Sequence, residues 1–229
     1  MKNHIKVIAF DADDTLWVNE PFFQETEQQF CTMLEDFLPQ HSISQELYKM
    51  QVKNLPLYGY GIKCFMLCMI ETAYNVSGGT ASMEIIRDII ALGQEMLNKP
   101  VELLEDVQHV LETLKGRYRL IVATKGDLLD QERKLQKSGL LEYFHHIEIM
   151  SDKRVQDYSK LIRHLDCRPE NFLMLGNSIK SDVLPVLELG GFAAHIPFHV
   201  TWHHEHYEHT LEHANFMQLE RLGEILDHL

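Results

Sequence analysis

Only four cysteines are spread over the 229 residues, too few for a disulfide framework to be the source of stability. No apolar run reaches the length of a membrane span. Positive charge is scarce as well: 21 Lys and Arg stand against 34 Asp and Glu, a net charge of −13. A surface of that sign repels a nucleic-acid backbone, so nucleic acid is not expected as a partner, and neither is a membrane. The same field opposes an anionic substrate, and any site for one must be rescued locally by a metal ion, a lysine or backbone amides. No internal repeat is present, and no low-complexity tract beyond one histidine-rich stretch. The short apolar run at residues 5–10 is interrupted by acids at 11–14, which does not fit a secretory leader, and a cytoplasmic location is the expectation. What remains is ordinary for a globular protein, with 45% hydrophobic and 24% charged residues and length for one large or two small domains.

The most informative segment comes first. Ile5-Lys6-Val7-Ile8-Ala9-Phe10 reads as a buried strand of a parallel sheet, and it runs into Asp11-Ala12-Asp13-Asp14-Thr15-Leu16. In open α/β sheets ligands bind beyond the carboxyl ends of strands. Three carboxylates in four positions repel one another, and burying them without a cation is costly. A hard divalent ion such as Mg²⁺, which takes oxygen ligands, resolves that conflict. An acidic loop capping the next helix is the plainer alternative.

Three later segments repeat the theme of a strand that ends in polar chemistry. Leu120-Ile121-Val122-Ala123-Thr124 closes on a hydroxyl and is followed by Lys125-Gly126-Asp127, an ordinary turn or cap signal. Lys153 stands in Met150-Ser151-Asp152-Lys153-Arg154, before a helical stretch at residues 157–165 that contains a second candidate, Lys160. Phe172-Leu173-Met174-Leu175-Gly176 runs into Asn177-Ser178-Ile179-Lys180-Ser181-Asp182.

Taken in order, these four segments resemble the motifs of the haloacid dehalogenase superfamily, and the resemblance spans nearly the whole chain. It implies a Rossmann-like α/β fold, a parallel sheet core with a mostly helical cap domain inserted after the first motif. It implies Asp11 as nucleophile, Asp13 as general acid and base, Thr124 as the hydroxyl that binds a phosphoryl oxygen, and Lys153 as the cation that neutralises nucleophile and phosphoryl group together. Mg²⁺ is implied as cofactor, held by Asp11, the Asp13 carbonyl, and Asn177 or Asp182. The family usually carries Asp where this chain has Asn177, so the metal site lacks one charge. The activity implied is a phosphatase that hydrolyses a small phosphorylated metabolite through an aspartyl-phosphate. A 2-haloacid dehalogenase, a phosphomutase and a silenced binding protein on the same scaffold are the alternatives. Asp13 argues for phosphate, because halide departs without a proton, whereas Asn177 leans toward the dehalogenase.

Helical spacing at residues 21–38, 44–55, 61–76 and 81–98 predicts a helical domain at 17–100, with the α/β core formed by 1–16 and 101–229. From residue 101, helices at 104–115, 127–138, 155–165 and 182–189 alternate with strands at 120–124, near 147, at 172–176 and at 192–196. Tyr58, Tyr60 and Lys63, beside a glycine-rich hinge, join Thr124, Lys125 and Lys153 as candidate substrate contacts. Cys64 and Cys68 share a helix face and read as core rather than a zinc pair. The stretch with His195, His199, His203, His204, His206, His209 and His213 reads as a solvated loop. His204 with Glu208, or His209 with His213, is the alternative of a metal pair on one helix face.

Overall fold

The computed structural model describes residues 4–229. Among the described residues, six parallel strands form one sheet in the order β3-β2-β1-β4-β5-β6: β1 (Val7–Phe10), β2 (Arg119–Lys125), β3 (His146–Met150), β4 (Phe172–Gly176), β5 (Phe192–His195) and β6 (Phe216–Gln218). The chain leaves β1 toward β2 and β3, then returns to lay β4 on the other side. Strand order therefore reverses between β1 and β4, where open α/β sheets place ligands.

Side-chain alternation explains the layers. Ile8, Phe10, Leu120, Val122, Leu173 and Leu175 pack on one face with Val110, Leu111 and Leu114 of α5 (Val107–Leu114) and Leu135 of α6 (Leu128–Ser138). Their neighbours Val7, Ala9, Ile121, Ala123, Phe172 and Met174 face the other way. There they meet Tyr158, Leu161 and Ile162 of α7 (Val155–His164) and Val186 and Leu187 of α8 (Leu184–Glu188). Burial on both faces is what a near-continuous apolar strand requires, and the α/β fold expected from the sequence is the fold found.

Two compact units divide the chain. One holds the chain as far as Glu20, with Val101–Lys125 and Gln131–Leu229; the other holds Pro21–Pro100 and Gly126–Asp130. The second is helical: α1 (Glu20–Met33) leads into it, then α2 (Gln40–Tyr58), α3 (Ile62–Val76) and α4 (Met83–Asn98). Its own core gathers Phe30, Leu34, Ile43, Leu47, Phe65, Met69 and Ile89, with Cys64 and Cys68 buried as free thiols.

The elements depart from the sequence expectation in several places: α1 ends at Met33 rather than near 38, α2 starts at Gln40 rather than 44, and the helix expected at 182–189 opens as a π-helical turn. Pro56, expected to end α2 near residue 55, lies inside it; proline costs one helical bond, and the helix stops only at Gly59, whose φ of 72° suits glycine. The three-residue β6 was not expected, because it follows the polar histidine-rich stretch and is too short to show alternation.

Candidate active site

Asp11 directly follows β1, and its N–H still donates to the Leu175 carbonyl at 2.8 Å, so the carboxylate leaves the sheet at the β1–β4 reversal. It is buried. Lys153, in the turn before α7 and only 3% exposed, donates to Asp11 Oδ1 and, at 2.6 Å, to Asp182 Oδ1. One ammonium thus serves two buried carboxylates. Burial pushes the Asp11 carboxyl up to about 7 against the pull of Lys153, and Asp182 adds to the rise. Burial works against the Lys153 charge too, but the paired carboxylates outweigh it and hold the ammonium protonated. Lys160 sits on the exposed side of α7, 3.6 Å from Asp157, away from these groups.

Asp182 reaches the site from a π-helical turn, Ile179–Val183. A Cβ on Gly176 would meet its Oδ2 at 2.2 Å, so the strand end must be glycine. That oxygen accepts the Ser178 N–H at 3.0 Å. Tyr158 Oη lies 3.5 Å from Asp182 Oδ1, and burial holds its phenol well above the usual range, leaving it a neutral donor. The Thr15 hydroxyl lies 3.4 Å from Asp11 Oδ2 and 3.5 Å from Asn177 Oδ1. Two acceptor oxygens therefore converge on a group that has one proton to give.

The three carboxylates of the first segment do different work. Asp14 adopts a φ of 61° and accepts the backbone N–H groups of Asn19 at 2.8 Å and Glu20 at 3.0 Å, which caps the start of α1. For this one residue the capping alternative is what is found. Burial pushes its carboxyl up to about 7, with Asp13 adding to the rise. Asp13 is held from three sides: Trp17 Nε1 (2.7 Å) and Lys134 Nζ (2.9 Å) donate to Oδ1, and Gln131 Nε2 (2.8 Å) donates to Oδ2. The same Gln131 amide reaches Thr124 Oγ1 at 3.3 Å and the Lys125 carbonyl at 2.7 Å, so it joins the ends of β1 and β2.

Lys125 Nζ donates to Ser181 Oγ at 2.8 Å and Glu205 Oε1 at 2.7 Å. Glu205 Oε2 in turn accepts from the hydroxyls of Ser178 and Ser181. Burial disfavours its charge, yet Lys125 and the three hydrogen bonds hold its carboxyl down at about 2. The histidine-rich stretch is thus not a wholly solvated loop, as it was expected to be: its glutamate is tied into the core.

Tyr58, Tyr60 and Lys63 all lie in the helical unit. The Tyr58 hydroxyl donates to Glu71 at 2.6 Å and Lys63 pairs with Asp127 at 3.0 Å, while Tyr60 lies half-buried at the turn between α2 and α3. Trp17, Gln131, Lys134, Tyr158 and Glu205 escaped the sequence reading. For Gln131 and Lys134 a signal existed: three residues apart, they share a face of the helix that follows Thr124.

Among the described residues, no group of three or more His, Cys, Asp and Glu side chains is placed to hold a metal ion, the histidine-rich stretch included. The oxygens at Asp11 form a different kind of set: Asp11 and the Asn177 amide converge beside Thr15, and Lys153 ties the Asp182 carboxylate to Asp11. All are hard donors, and one negative charge remains after Lys153 is counted against Asp11 and Asp182. That chemistry fits Mg²⁺.

The raised carboxyls carry a consequence for stability. Asp11 and Asp14 bind protons more tightly in the folded chain, at about 7, than in the unfolded one, at 3.8. The folded state then holds more protons between those values, and stability falls as pH rises through that window. Urea midpoints of the metal-free protein are expected to decline from pH 5 to pH 8; a midpoint that climbs over that range would contradict the assignment.

The haloacid dehalogenase-like hydrolase family model matches residues 5–190. A haloacid dehalogenase-like family hydrolase from Xanthomonas campestris superposes with a TM-score of 0.87 at 32% identity, covering 96% of this chain and 88% of that one. A 2-haloacid dehalogenase from Pseudomonas syringae pv. tomato superposes at 0.63 with 16% identity, covering 97% of each chain. The glyceraldehyde 3-phosphate phosphatase of Methanothermobacter thermautotrophicus is 26% identical over 199 residues, 81% of this chain and 83% of that one.

Proposed function

The chain belongs to the haloacid dehalogenase-like hydrolase family, and from that membership we propose that it is a phosphatase that cleaves a small phosphomonoester through an aspartyl-phosphate on Asp11. The observation that carries the reading is Asp13. A carboxylate two residues beyond the nucleophile, held by Trp17, Gln131 and Lys134, provides a proton carrier where an alkoxide departs. Halide release has no use for one. The phosphatase among the relatives lends support at the level of reaction class.

Asp11 attacks phosphorus in line, and the bond to the leaving oxygen breaks as Asp13 passes it a proton. Asp13 then takes a proton from water, which attacks the same phosphorus and frees phosphate and Asp11. Thr124 and Lys153 bind the phosphoryl oxygens, with Lys125 beside them. Mg²⁺ would be held by Asp11, Asn177 and the Asp13 carbonyl, with Asp182 in support, and it would supply neutralisation of charge on the equatorial oxygens. Family membership would give the helical unit, Pro21–Pro100, the role of a cap, with Tyr58, Tyr60 and Lys63 as its candidates for selecting the substrate. The partner is thus a small phosphorylated metabolite. No described helix is long and apolar enough to cross a membrane.

The test is release of phosphate from an aryl phosphate and a panel of phosphorylated metabolites, with halide release from 2-haloacids measured in parallel. Phosphate with Mg²⁺ and no halide is expected; halide alone would overturn the reading. Because a neutral amide binds a divalent ion less tightly than a carboxylate, Asn177→Asp is expected to lower the Mg²⁺ concentration giving half-maximal rate. A full rate in excess chelator would remove the metal from the account.

A further inference from the structure

Nothing in the phosphatase mechanism uses Glu205, yet the chain goes to some length to bury it. It stands in a short 3₁₀ turn, His203–Glu205, within a stretch of polar and aromatic residues that offers little apolar packing. Its side chain is nevertheless only 14% exposed. Its two oxygens take hydrogen bonds from three groups: Lys125 at the end of β2, and Ser178 and Ser181 in the loop after β4. That loop carries Asn177 and Asp182. Ser178 is itself the pivot of the loop, because its N–H binds Asp182 Oδ2 and its hydroxyl accepts the Ser181 N–H at 3.0 Å. A second residue of the same stretch grips the loop from the other side. His195, at the end of β5, lies opposite Gly176 in the sheet, and its Nε2 is 3.0 Å from the Asn177 carbonyl oxygen. Lys180 adds a bond to the His204 carbonyl at 2.9 Å.

We propose that Glu205 is a positioning residue: it clamps the loop bearing Asn177 and Asp182 to the end of β2, so that the histidine-rich segment is a strap holding the cation-binding side of the active site. The geometry accounts for an acid placed beside a phosphate site that is otherwise short of positive charge. Lys125 needs a counter-charge to sit half-buried next to Thr124, and Glu205 supplies it while its second oxygen holds both serines. Neither hydroxyl alone fixes the loop, since each rotates freely. A shared carboxylate fixes both.

The proposal rests on Asn177 and Asp182 being site residues, and its test separates the clamp from the chemistry. Hydrogen exchange of the whole protein, read by mass spectrometry, reports the loop directly whether or not phosphate is turned over. Glu205→Ala is expected to speed exchange across residues 177–183 about tenfold, with peptides from β1 unchanged, because a local opening no longer has to break the clamp. Ser181→Ala, which removes one bond to Glu205 and one to Lys125, is expected to show a smaller increase in the same peptides; it also serves if Glu205→Ala does not fold. His209→Ala, in the same stretch with an exposed ring, is expected to change neither. In the kinetic arm, Glu205→Ala raises the Mg²⁺ needed for half-maximal rate while KM at saturating Mg²⁺ stays within about twofold. Exchange at 177–183 that matches wild type in both Glu205→Ala and Ser181→Ala would overturn the clamp. So would an equal acceleration in His209→Ala. A wild-type protein that releases no phosphate would instead overturn the phosphatase reading and leave the exchange result standing.

Discussion

Asp11→Asn is expected to give a folded protein whose phosphatase rate falls by a factor on the order of 10⁴ or more, the scale on which loss of a covalent nucleophile acts. An amide cannot attack phosphorus, and no other carboxylate lies on the same spot: Asp182 is packed against Gly176 and bonded to Ser178. Folding survives for a reason that the site itself supplies. Two buried carboxylates share Lys153, and burial makes the ionised Asp11 costly, with its carboxyl pushed up to about 7. Replacing it with a neutral side chain leaves one ammonium facing one carboxylate. At pH 8 the melting temperature of the variant is therefore expected to equal or exceed that of wild type. A large loss of both stability and rate would place Asp11 in the scaffold rather than the chemistry.

Asp13→Asn is expected to lose about 10²–10⁴-fold with alkyl phosphates, the range in which general acid–base help contributes. The loss is expected to shrink with an aryl phosphate, whose leaving group departs with less need of a proton. Structure contributes little to the effect. Trp17 and Lys134 still find an oxygen on the amide side chain, Lys134 keeps its 2.9 Å bond to Asn19, and Gln131, which loses its acceptor on residue 13, keeps the Lys125 carbonyl at 2.7 Å. The ratio of the two substrates is the diagnostic. An equal loss for alkyl and aryl esters would show that Asp13 acts by placement, with Gln131 and Lys134, and not as an acid.

Both residues stand out as candidates because they follow a strand directly, where a buried apolar run ends in carboxylates; the roles proposed for them come from the family resemblance. Local order carries that information. The same holds for Thr124 at β2 and for Asn177 at β4, and the alternation of apolar strands with amphipathic helices carried the fold class. Lys153 was legible only through the family pattern, since a single lysine in a turn has no local signature; the fold brings it 142 positions back to Asp11. Glu205 shows the limit, and Gln131 nearly does, its one signal being the helix face that it shares with Lys134. Gln131 meets Asp13 across 118 positions and Glu205 meets Lys125 across 80, and neither side chain lies on an apolar periodicity that would betray it. Histidines dominate the stretch around Glu205 and suggest metal chemistry, whereas the residue that reaches the core is the acid among them. Pro56 departs in the opposite sense, because α2 runs on through it at the expense of one helical bond.

The central claim is that Asp11 carries the phosphoryl group. Quenching the wild-type enzyme during turnover and reducing it with borohydride converts an acyl phosphate on aspartate to homoserine, which peptide mass spectrometry locates. The expected result is homoserine at position 11, absent from Asp11→Asn and from enzyme quenched without substrate. Homoserine at another aspartate, or steady turnover with Asp11 unmodified at every quench time, would contradict it.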